Sequence, residues 1–284
     1  HLPAEVAPFI SKEKNALVFF EGQFKEELSS LPEGVVILPL EKAMTSYGAL
    51  LKKRFAEVAE KDSNPFSLLN QALYKKGLFI YFPPKLCLEN PLHFLFFTKG
   101  EVLTHPRVEI CLGKEAEVKA LTTFIPLGDS PCCENSFLNF SLEEGSSFSL
   151  FDYPQKLVEG VRLEKIRATL KQDSRFKNFH FLQGAKTSHQ DIQIILNGEN
   201  SEVTLKGLHL LEGKEEAHSS ILIEHATPNT RSHQHFKNIV SDQAQASFEG
   251  KIFVRKEAQK TDAYQLNNNL LLGEKATAHC RPNL

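Results

Sequence analysis

After Pro91 the sequence alternates apolar and polar residues in one short segment after another, and no segment there has the spacing of an amphipathic helix. Period-two alternation is typical of a strand with one buried face, whereas a helix repeats its apolar residues every three or four positions. The pattern therefore predicts strand after strand without helices between them. The predicted strands are residues 92–98, 108–112, 118–124, 137–142, 148–153, 161–170, 179–183, 192–196, 203–210, 221–225 and the two alternating stretches within 247–273.

Polar turns that contain a glycine separate many of these strands. The glycines of these turns are Gly113, Gly145, Gly198, Gly213 and Gly273, and three of the four intervals between them are close to a multiple of about 15. Such spacing indicates a repeating layer. Stacked layers bury their apolar faces only against neighbouring layers, so the stack needs a cap at each end. A coil of stacked strands is the natural interpretation, and a β-sandwich stays open as the alternative.

The N-terminal part of the chain, up to Pro84, has a different character. Strands are predicted at residues 16–20 and 35–38, and we expect these two strands to pair. Apolar residues then recur at helical spacing from Leu40 to Val58, which predicts one helix. A second helix is expected to begin with Asn64 as its N-cap and to end before Gly77. We therefore divide the chain into a mixed α/β unit, residues 1–84, and a β-domain, residues 85–284.

Charge and composition exclude several classes of function. The net charge of −2 and the pI near 6.6 provide no basic field for nucleic acid or an anionic membrane. No apolar run reaches the roughly 20 residues of a membrane helix, and the first residues lack a secretion signal pattern, so we expect a cytoplasmic protein. The five cysteines contain no CxxC pair and are expected to be reduced thiols. Because the chain begins with His1, we expect the native protein to be longer.

Residues 247–273, SFEGKIFVRKEAQKTDAYQLNNNLLLG, form the most distinctive stretch of the sequence. Phe248, Gly250 and Ile252 alternate with charged residues, as in a half-buried strand. The run from Asn267 to Asn269 is expected either to bond its own turn or to stack on amides of a neighbouring layer.

This stretch resembles the signature of the SufB/SufD family of scaffold proteins of the Suf iron–sulfur cluster assembly system. The resemblance extends to SHQDIQIILNGENSEVTLKGLHLL at 188–211, IEHATPNTRS at 223–232 and NPFSLLNQALYKKGLFIYFPP at 64–84. It implies a right-handed parallel β-helix between terminal parts that contain helices. The segments VFFEGQF and LSSLPEGV near the N-terminus make the chain most similar to SufD.

The resemblance also implies partners. A SufD-like protein is expected to be a non-catalytic scaffold that pairs with a SufB-like subunit and binds a SufC-like ATPase through C-terminal helices. That helical part and the preceding Cys-x-His-Gly element are absent from these 284 residues, so neither is transferred to a position here. No tightly bound cofactor is expected, although iron or an iron–sulfur cluster can pass through the complex. The isolated chain is expected to form a homodimer in place of the heteromeric pair.

The sequence offers one candidate set of metal ligands. These residues are His225, His233, His235, His279 and Cys280, since imidazole and thiolate are good ligands for iron or zinc. His233 and His235 would point to the same side of a strand. The competing interpretation has both on a solvated face and His225 hydrogen-bonded at the turn before Pro228.

The remaining cysteines give little indication of chemistry. Cys132 and Cys133 could accept sulfur or bind a metal, but no basic residue lies within five positions to lower a thiol pKa. Cys87 and Cys111 are expected to be small core residues.

Enzyme signatures are missing from the sequence. It contains no P-loop, dinucleotide-binding, GxSxG or HExxH motif. Two alternatives to the SufD-like scaffold remain at this stage. One is a SufB-type subunit that carries the nascent cluster, and the other is a polysaccharide-acting β-helix enzyme, for which the expected clustered acids and secretion are not visible.

Overall fold

The computed structural model describes residues 6, 14–62, 64–128, 130–153 and 157–283, with the backbone alone described at 61 and 157–159. These residues form a parallel β-solenoid of about seven turns that begins with a small α/β unit. The structure confirms the predicted coil of stacked strands. Because the successive strands of the coil pair in parallel, the β-sandwich alternative is wrong.

The N-terminal unit contains four strands and three helices in the described residues. They are β1 (Ala16–Phe20), β2 (Gln23–Phe24), a 3-10 turn (Glu26–Leu28), β3 (Val36–Pro39), α1 (Leu40–Ser46), α2 (Gly48–Lys61), α3 (Pro65–Leu73) and β4 (Leu78–Phe82).

The solenoid strands follow. They are β5 (Leu92–Lys99), β6 (Leu103–Thr104), β7 (Arg107–Leu112), β8 (Glu117–Leu127), β9 (Cys133–Leu142), β10 (Ser147–Asp152), β11 (Leu157–Leu170), β12 (Arg175–Gln183), β13 (Ala185–Leu196), β14 (Glu202–Leu211), β15 (Glu216–His225), β16 (Arg231–Val240), β17 (Gln245–Val254), β18 (Asp262–Leu271) and β19 (Thr277–Asn283).

Two sheets share these strands, because the chain passes from one sheet to the other at every corner. Sheet A has the order β18-β16-β14-β12-β10-β8-β5-β1-β2, and sheet B has the order β19-β17-β15-β13-β11-β9-β7-β4-β3, with β6 paired to β9. Arg175, Glu202, Arg231 and Asp262 occupy one register position on successive turns, and their numbers differ by 27, 29 and 31. One turn of the solenoid is therefore about 29 residues long. The spacing near 15 in the sequence corresponds to half a turn.

The interior between the sheets is apolar along the edge where sheet B strands end and sheet A strands begin. Leu112, Leu142, Leu170 and Leu196 align in register on four successive strands and are fully buried. Phe140 lies two residues before Leu142 on β9, and its ring centroid is 4.9 Å from that of Phe148 and 5.1 Å from that of Phe176, both on the facing sheet A. Such ladders repeat one contact on every turn, so each turn is stabilised by its neighbours.

The helices cover the outer face of sheet B in the first turns. Arg54 of α2 donates to Glu109 of β7 at 2.8 Å, and Glu109 also accepts from Arg107 at 2.9 Å. Beside this pairing the rings of Tyr47 and Phe79 pack at 4.7 Å between centroids, tilted by 38° to each other. The α/β unit is therefore fixed to the solenoid through charged contacts as well as apolar ones.

The structure corrects several local expectations. Strands β1 and β3 do not pair, because β1 joins β5 in sheet A whereas β3 joins β4 in sheet B. The single helix expected after Leu40 is divided at Tyr47, where φ is −120°. The strand Arg231–Val240 was not predicted.

The second helix begins as expected and ends early. The Asn64 side chain accepts from the Phe66 N–H and caps α3, which ends at Leu73.

Strand pairing crosses the expected domain boundary at residue 84, because β1 pairs with β5 in sheet A and β4 pairs with β7 in sheet B. The division into 1–84 and 85–284 stays a prediction. In the part of the chain that the structure describes, every helix is too short or too polar to cross a membrane.

Candidate functional site

A cluster of charged side chains lies inside the solenoid, at the edge where sheet A strands end and sheet B strands begin. Strand alternation points Arg162 and Glu164 of β11 inward, and register pairing places Glu134 of β9 beside Arg162. Asp152 of β10 and His180 of β12 align in the same way across the interior. All five side chains are buried, so this charged cluster is enclosed between the sheets.

Arg162 connects the cluster. Its Nη2 atom donates to both Asp152 carboxylate oxygens, at 3.0 and 2.9 Å, and to Glu164 at 3.2 Å. The guanidinium also lies over the ring of Phe124, 4.1 Å from its centroid. A buried charge needs such partners, because desolvation without compensation costs several kcal/mol for each ion.

Asp152 is held as an anion by its neighbours. Its Oδ2 lies 2.6 Å from His180 Nδ1, and its Oδ1 accepts from Thr122 at 2.6 Å. Burial alone would raise the pKa of Asp152, but Arg162 and His180 outweigh it and hold the pKa at about 2.

The two glutamates have the opposite shift. Burial raises the pKa of Glu134 to about 7, although the hydrogen bond from Thr98 and the charge of Arg162 oppose that change. Burial and the charge of Asp152 raise the pKa of Glu164, which accepts from Gln190 at 2.8 Å. The cluster therefore contains one firmly ionised carboxylate and two that bind protons more readily.

Polar side chains continue the cluster along the interior toward the later turns. His209 of β14 lies edge-on to His180 with ring centroids 5.4 Å apart. Burial and the nearby His180 together lower the pKa of His209 to about 3, against a hydrogen bond with Asn238. His209 is consequently neutral at physiological pH.

Asparagine side chains on neighbouring strands form hydrogen bonds in the last turns of the solenoid. Asn238 donates to Asn267 at 3.1 Å and to Asn269 at 2.7 Å. Of the two alternatives expected for the asparagine run, contact with an amide of a neighbouring layer is the one that the structure shows.

The charged cluster includes the one group of three metal-ligating side chains found close together in the described residues. One atom each of Asp152, Glu164 and His180 lies within 4.8 Å of the others. Such a donor set could hold a divalent ion, but Arg162 already contacts both carboxylates and supplies the positive charge. The arrangement is that of a charge-paired structural network.

The structure places the predicted ligand His225 inside the solenoid. Its Nδ1 lies 2.7 Å from Thr230 Oγ1 and its Nε2 lies 2.9 Å from Ser232 Oγ, at the turn that contains Pro228. Burial lowers its pKa to about 4. The hydrogen-bonded interpretation of His225 is the one that the contacts show.

The other predicted ligands lie on different faces. His233 and His235 project from the outer face of sheet A, on the same side as predicted, where His233 stacks on Tyr264 at 4.7 Å and His235 contacts Asn268 at 3.0 Å. His279 and Cys280 belong to β19 of sheet B, and Cys280 accepts from Asn267 at 3.5 Å. Within the described residues, the candidate ligands are thus divided between two sheets and the interior.

The five cysteines are all free. Burial raises the pKa of the Cys132 thiol to about 12 and also raises that of Cys133, so neither is poised as a thiolate. Cys111 is buried as expected, with a pKa raised to about 11 by burial. The expectation for Cys87 is wrong, because its side chain is exposed beside an isolated bridge to Glu117.

Sequence reasoning missed the charged cluster. A signal was nevertheless present, since Arg162 and Glu164 have the same parity as the apolar residues Ile166 and Ala168 of one strand. Charged residues at inward positions of an alternating strand indicate a buried pair.

The fold and the enclosed cluster define a two-sheet parallel β-solenoid protein with a charged interior. The chain matches the SufBD core domain of the SUF system for FeS cluster assembly over residues 95–284, and the SufBD N-terminal region over 13–94. It belongs to the SufBD family.

Individual relatives share between 26% and 28% sequence identity with this chain. The iron–sulfur cluster assembly SufBD family protein slr0076 of Synechocystis is 26% identical over 290 residues, which cover 95% of this chain and 63% of that protein. The iron–sulfur cluster assembly protein SufD of Escherichia coli is 28% identical over 200 residues, covering 69% and 47%. Protein ABCI7, chloroplastic, of Arabidopsis thaliana is 26% identical over 218 residues, covering 72% and 45%. The chain thus spans between about half and two thirds of the length of these relatives.

Proposed function

We propose that this chain is a SufD-like, non-catalytic scaffold subunit of an iron–sulfur cluster assembly complex. In this proposal it pairs with a SufB-like subunit and works with a SufC-like ATPase, and the iron–sulfur cluster is the cargo of the complex. The observation that carries the proposal is the match to both SufBD domains over residues 13–284.

Two features support the SufD-like role. One of the relatives bears the name SufD and shares 28% identity over 200 residues. In addition, three interior groups with shifted pKa values, Glu134, Asp152 and His209, are at most 3% exposed. Groups enclosed in this way stabilise a scaffold and do not contact a substrate at the surface.

A second candidate is a SufB-type subunit that carries the nascent cluster itself. It is favoured by Cys280, whose thiol is exposed on the last described strand next to His279. Thiolate is the ligand that iron–sulfur clusters prefer. Because the chain belongs to the SufBD family, we do not propose the third alternative, a polysaccharide-acting β-helix enzyme.

Co-purification tests the proposal. The full-length native protein, with any segments that flank these 284 residues, is co-expressed with candidate SufB-like and SufC-like proteins of its own genome, captured through a tag, and assayed for partners, iron and labile sulfide. We expect capture of both partners, with iron and sulfide following the SufB-like subunit when the subunits are separated. Failure to capture either partner, while circular dichroism shows the captured protein to be folded, would refute the assembly role.

Cysteine variants separate the two candidates. In a SufD-like subunit Cys280→Ser leaves the iron and sulfide content of the complex unchanged, as does the matched exposed variant Cys87→Ser. Loss of iron and sulfide in Cys280→Ser alone would identify the SufB-type subunit instead.

A further inference from the structure

A groove runs across the outer face of sheet A, over β8, β10, β12 and β14. Its volume is about 700 Å³, within the range of ligand-binding clefts. This outer groove has two walls, each formed by one outward side chain from each of the four strands. It is separate from the enclosed charged cluster, which lies on the inner side of sheet A, between the two sheets.

The first wall is cationic and hydroxylic. Lys119, Ser149, Lys177 and Thr204 occupy one register position on the four strands. Both lysines are exposed, so their ammonium groups are available at the rim.

The second wall is mainly apolar. Leu121, Phe151, Phe179 and Lys206 occupy the register position two residues further along each strand. The rings of Phe151 and Phe179 stack at 4.9 Å with an interplanar angle of 8°. Phe151 is nevertheless 43% exposed, which is unusual for a phenylalanine in a folded chain.

The dimensions of the outer groove restrict what can occupy it. Two positions along a strand separate the walls by roughly 7 Å, and three strand spacings give a length of roughly 14 Å. An α-helix with its side chains is about 10–12 Å wide and does not fit between the walls. An extended chain does fit, and about four or five of its residues span the length.

The positive charges that line the groove favour an acidic ligand. Lys119, Lys177 and Lys206 line it without an acidic partner within salt-bridge distance among the described residues, and Glu202 at one end is its single acid there. Successive side chains of an extended peptide point to opposite sides, so one edge can face the lysines while the other faces the phenylalanines.

We propose that the outer groove binds an extended segment of a partner protein in which acidic and apolar residues alternate. The acidic side chains pair with Lys119 and Lys177, and the apolar side chains cover Leu121, Phe151 and Phe179. This proposal does not rest on the SufD-like assignment, since it follows from the shape and charge of the groove.

A fluorescein-labelled hexapeptide, Glu-Phe-Glu-Leu-Glu-Phe, tests the proposal by fluorescence anisotropy on the full chain. Its isomer Glu-Glu-Glu-Phe-Leu-Phe has the same composition and charge without the alternation. We expect the alternating peptide to bind about tenfold more tightly, because only its side chains match both walls. Binding is also expected to weaken with added salt.

Variants locate the binding. Lys177→Glu reverses one charge of the first wall and is expected to weaken binding about tenfold or more. Phe151→Ser removes an exposed ring of the second wall and is expected to weaken it as well. The matched variant Lys251→Glu, on the outer face of sheet B, should bind like the unaltered chain.

Three results would overturn the proposal. They are equal affinity for the two peptide isomers, unchanged binding by Lys177→Glu, and displacement of the peptide by an equal concentration of AMP, which would identify a site for small anions. None of these measurements involves a Suf partner, so their failure and a failed co-purification are distinguishable.

Discussion

The two long edges of the solenoid interior have the same backbone and opposite contents. At one edge Leu142, Leu170 and Leu196 repeat a single apolar contact from turn to turn. At the other edge the same parallel register places Asp152 beside His180, and Arg162 of the facing sheet donates to Asp152. The comparison shows that parallel stacking fixes where side chains meet, and that the side chains decide whether neighbouring turns are independent or coupled.

The energetic consequence differs between the edges. Apolar burial is roughly proportional to area, so each leucine contributes by itself and the loss of one is local. A buried charged network is stable only when it is complete, because the loss of one member leaves others buried without partners. We therefore expect the largest effects of substitution at the charged edge.

The largest expected effect is that of Arg162→Met. The substitution leaves Asp152 and Glu164 buried without their shared donor, and we expect a loss of about 3–5 kcal/mol in the free energy of unfolding. Urea denaturation followed by circular dichroism measures it. Arg175→Met, at an exposed position of β12, serves as the matched control and is expected to change stability by less than about 0.5 kcal/mol.

A combined variant keeps this prediction testable if Arg162→Met does not fold. Adding Asp152→Asn and Glu164→Gln removes the uncompensated charges, so the triple variant is expected to be more stable than the single one. Equal or lower stability of the triple variant would show that the ion pairs do not govern the charged edge.

At the apolar edge Leu170→Ala is expected to cost roughly 3 kcal/mol, through lost burial and the cavity left between Leu142 and Leu196. Leu270→Ala is the matched control, since Leu270 is 53% exposed. Thermal unfolding of both variants gives the comparison. Similar losses in the two variants would contradict the assignment of the leucine ladder to the core.

Much of the fold could be predicted because its determinants are local. Alternation in segments such as 203–210 and 221–225 depends on neighbouring residues alone, and the observed strands Glu202–Leu211 and Glu216–His225 contain them. The pairing of strands is a different matter. Strand β1 pairs with β5, which follows it only after all three helices of the N-terminal unit, and no local pattern specifies that choice.

The charged cluster shows where sequence reasoning ends. Its members come from four strands, and only the register of the turns brings Asp152 to His180 and Arg162 to Glu134. The predicted histidines were chosen by closeness in sequence, whereas a solenoid brings together residues that lie one full turn apart. His225 proved to be bonded within its own turn, to Thr230 and Ser232.

The smallest of the three effects concerns pH. His209 has a pKa of about 3 in the native chain, against an ordinary value of 6.5, so protons bind first to the unfolded state as pH falls. The stability that neutral His209 confers is therefore lost progressively below about pH 6.5. Between pH 7 and pH 5 this loss amounts to roughly 2 kcal/mol.

Other groups titrate in the same window, so the measurement has to be a difference between variants. Glu134, with a pKa raised to about 7, acts in the opposite direction, because its contribution is lost as pH rises through 7. We expect His209→Gln to lose about 2 kcal/mol less than the unaltered chain between pH 7 and pH 5 in urea denaturation. His235→Gln, on the outer face of sheet A, is expected to keep the original pH dependence. If His209→Gln also keeps the original pH dependence, burial in the interior does not lower the pKa of His209. The charged edge would then not differ from the apolar edge in the way that the contacts indicate.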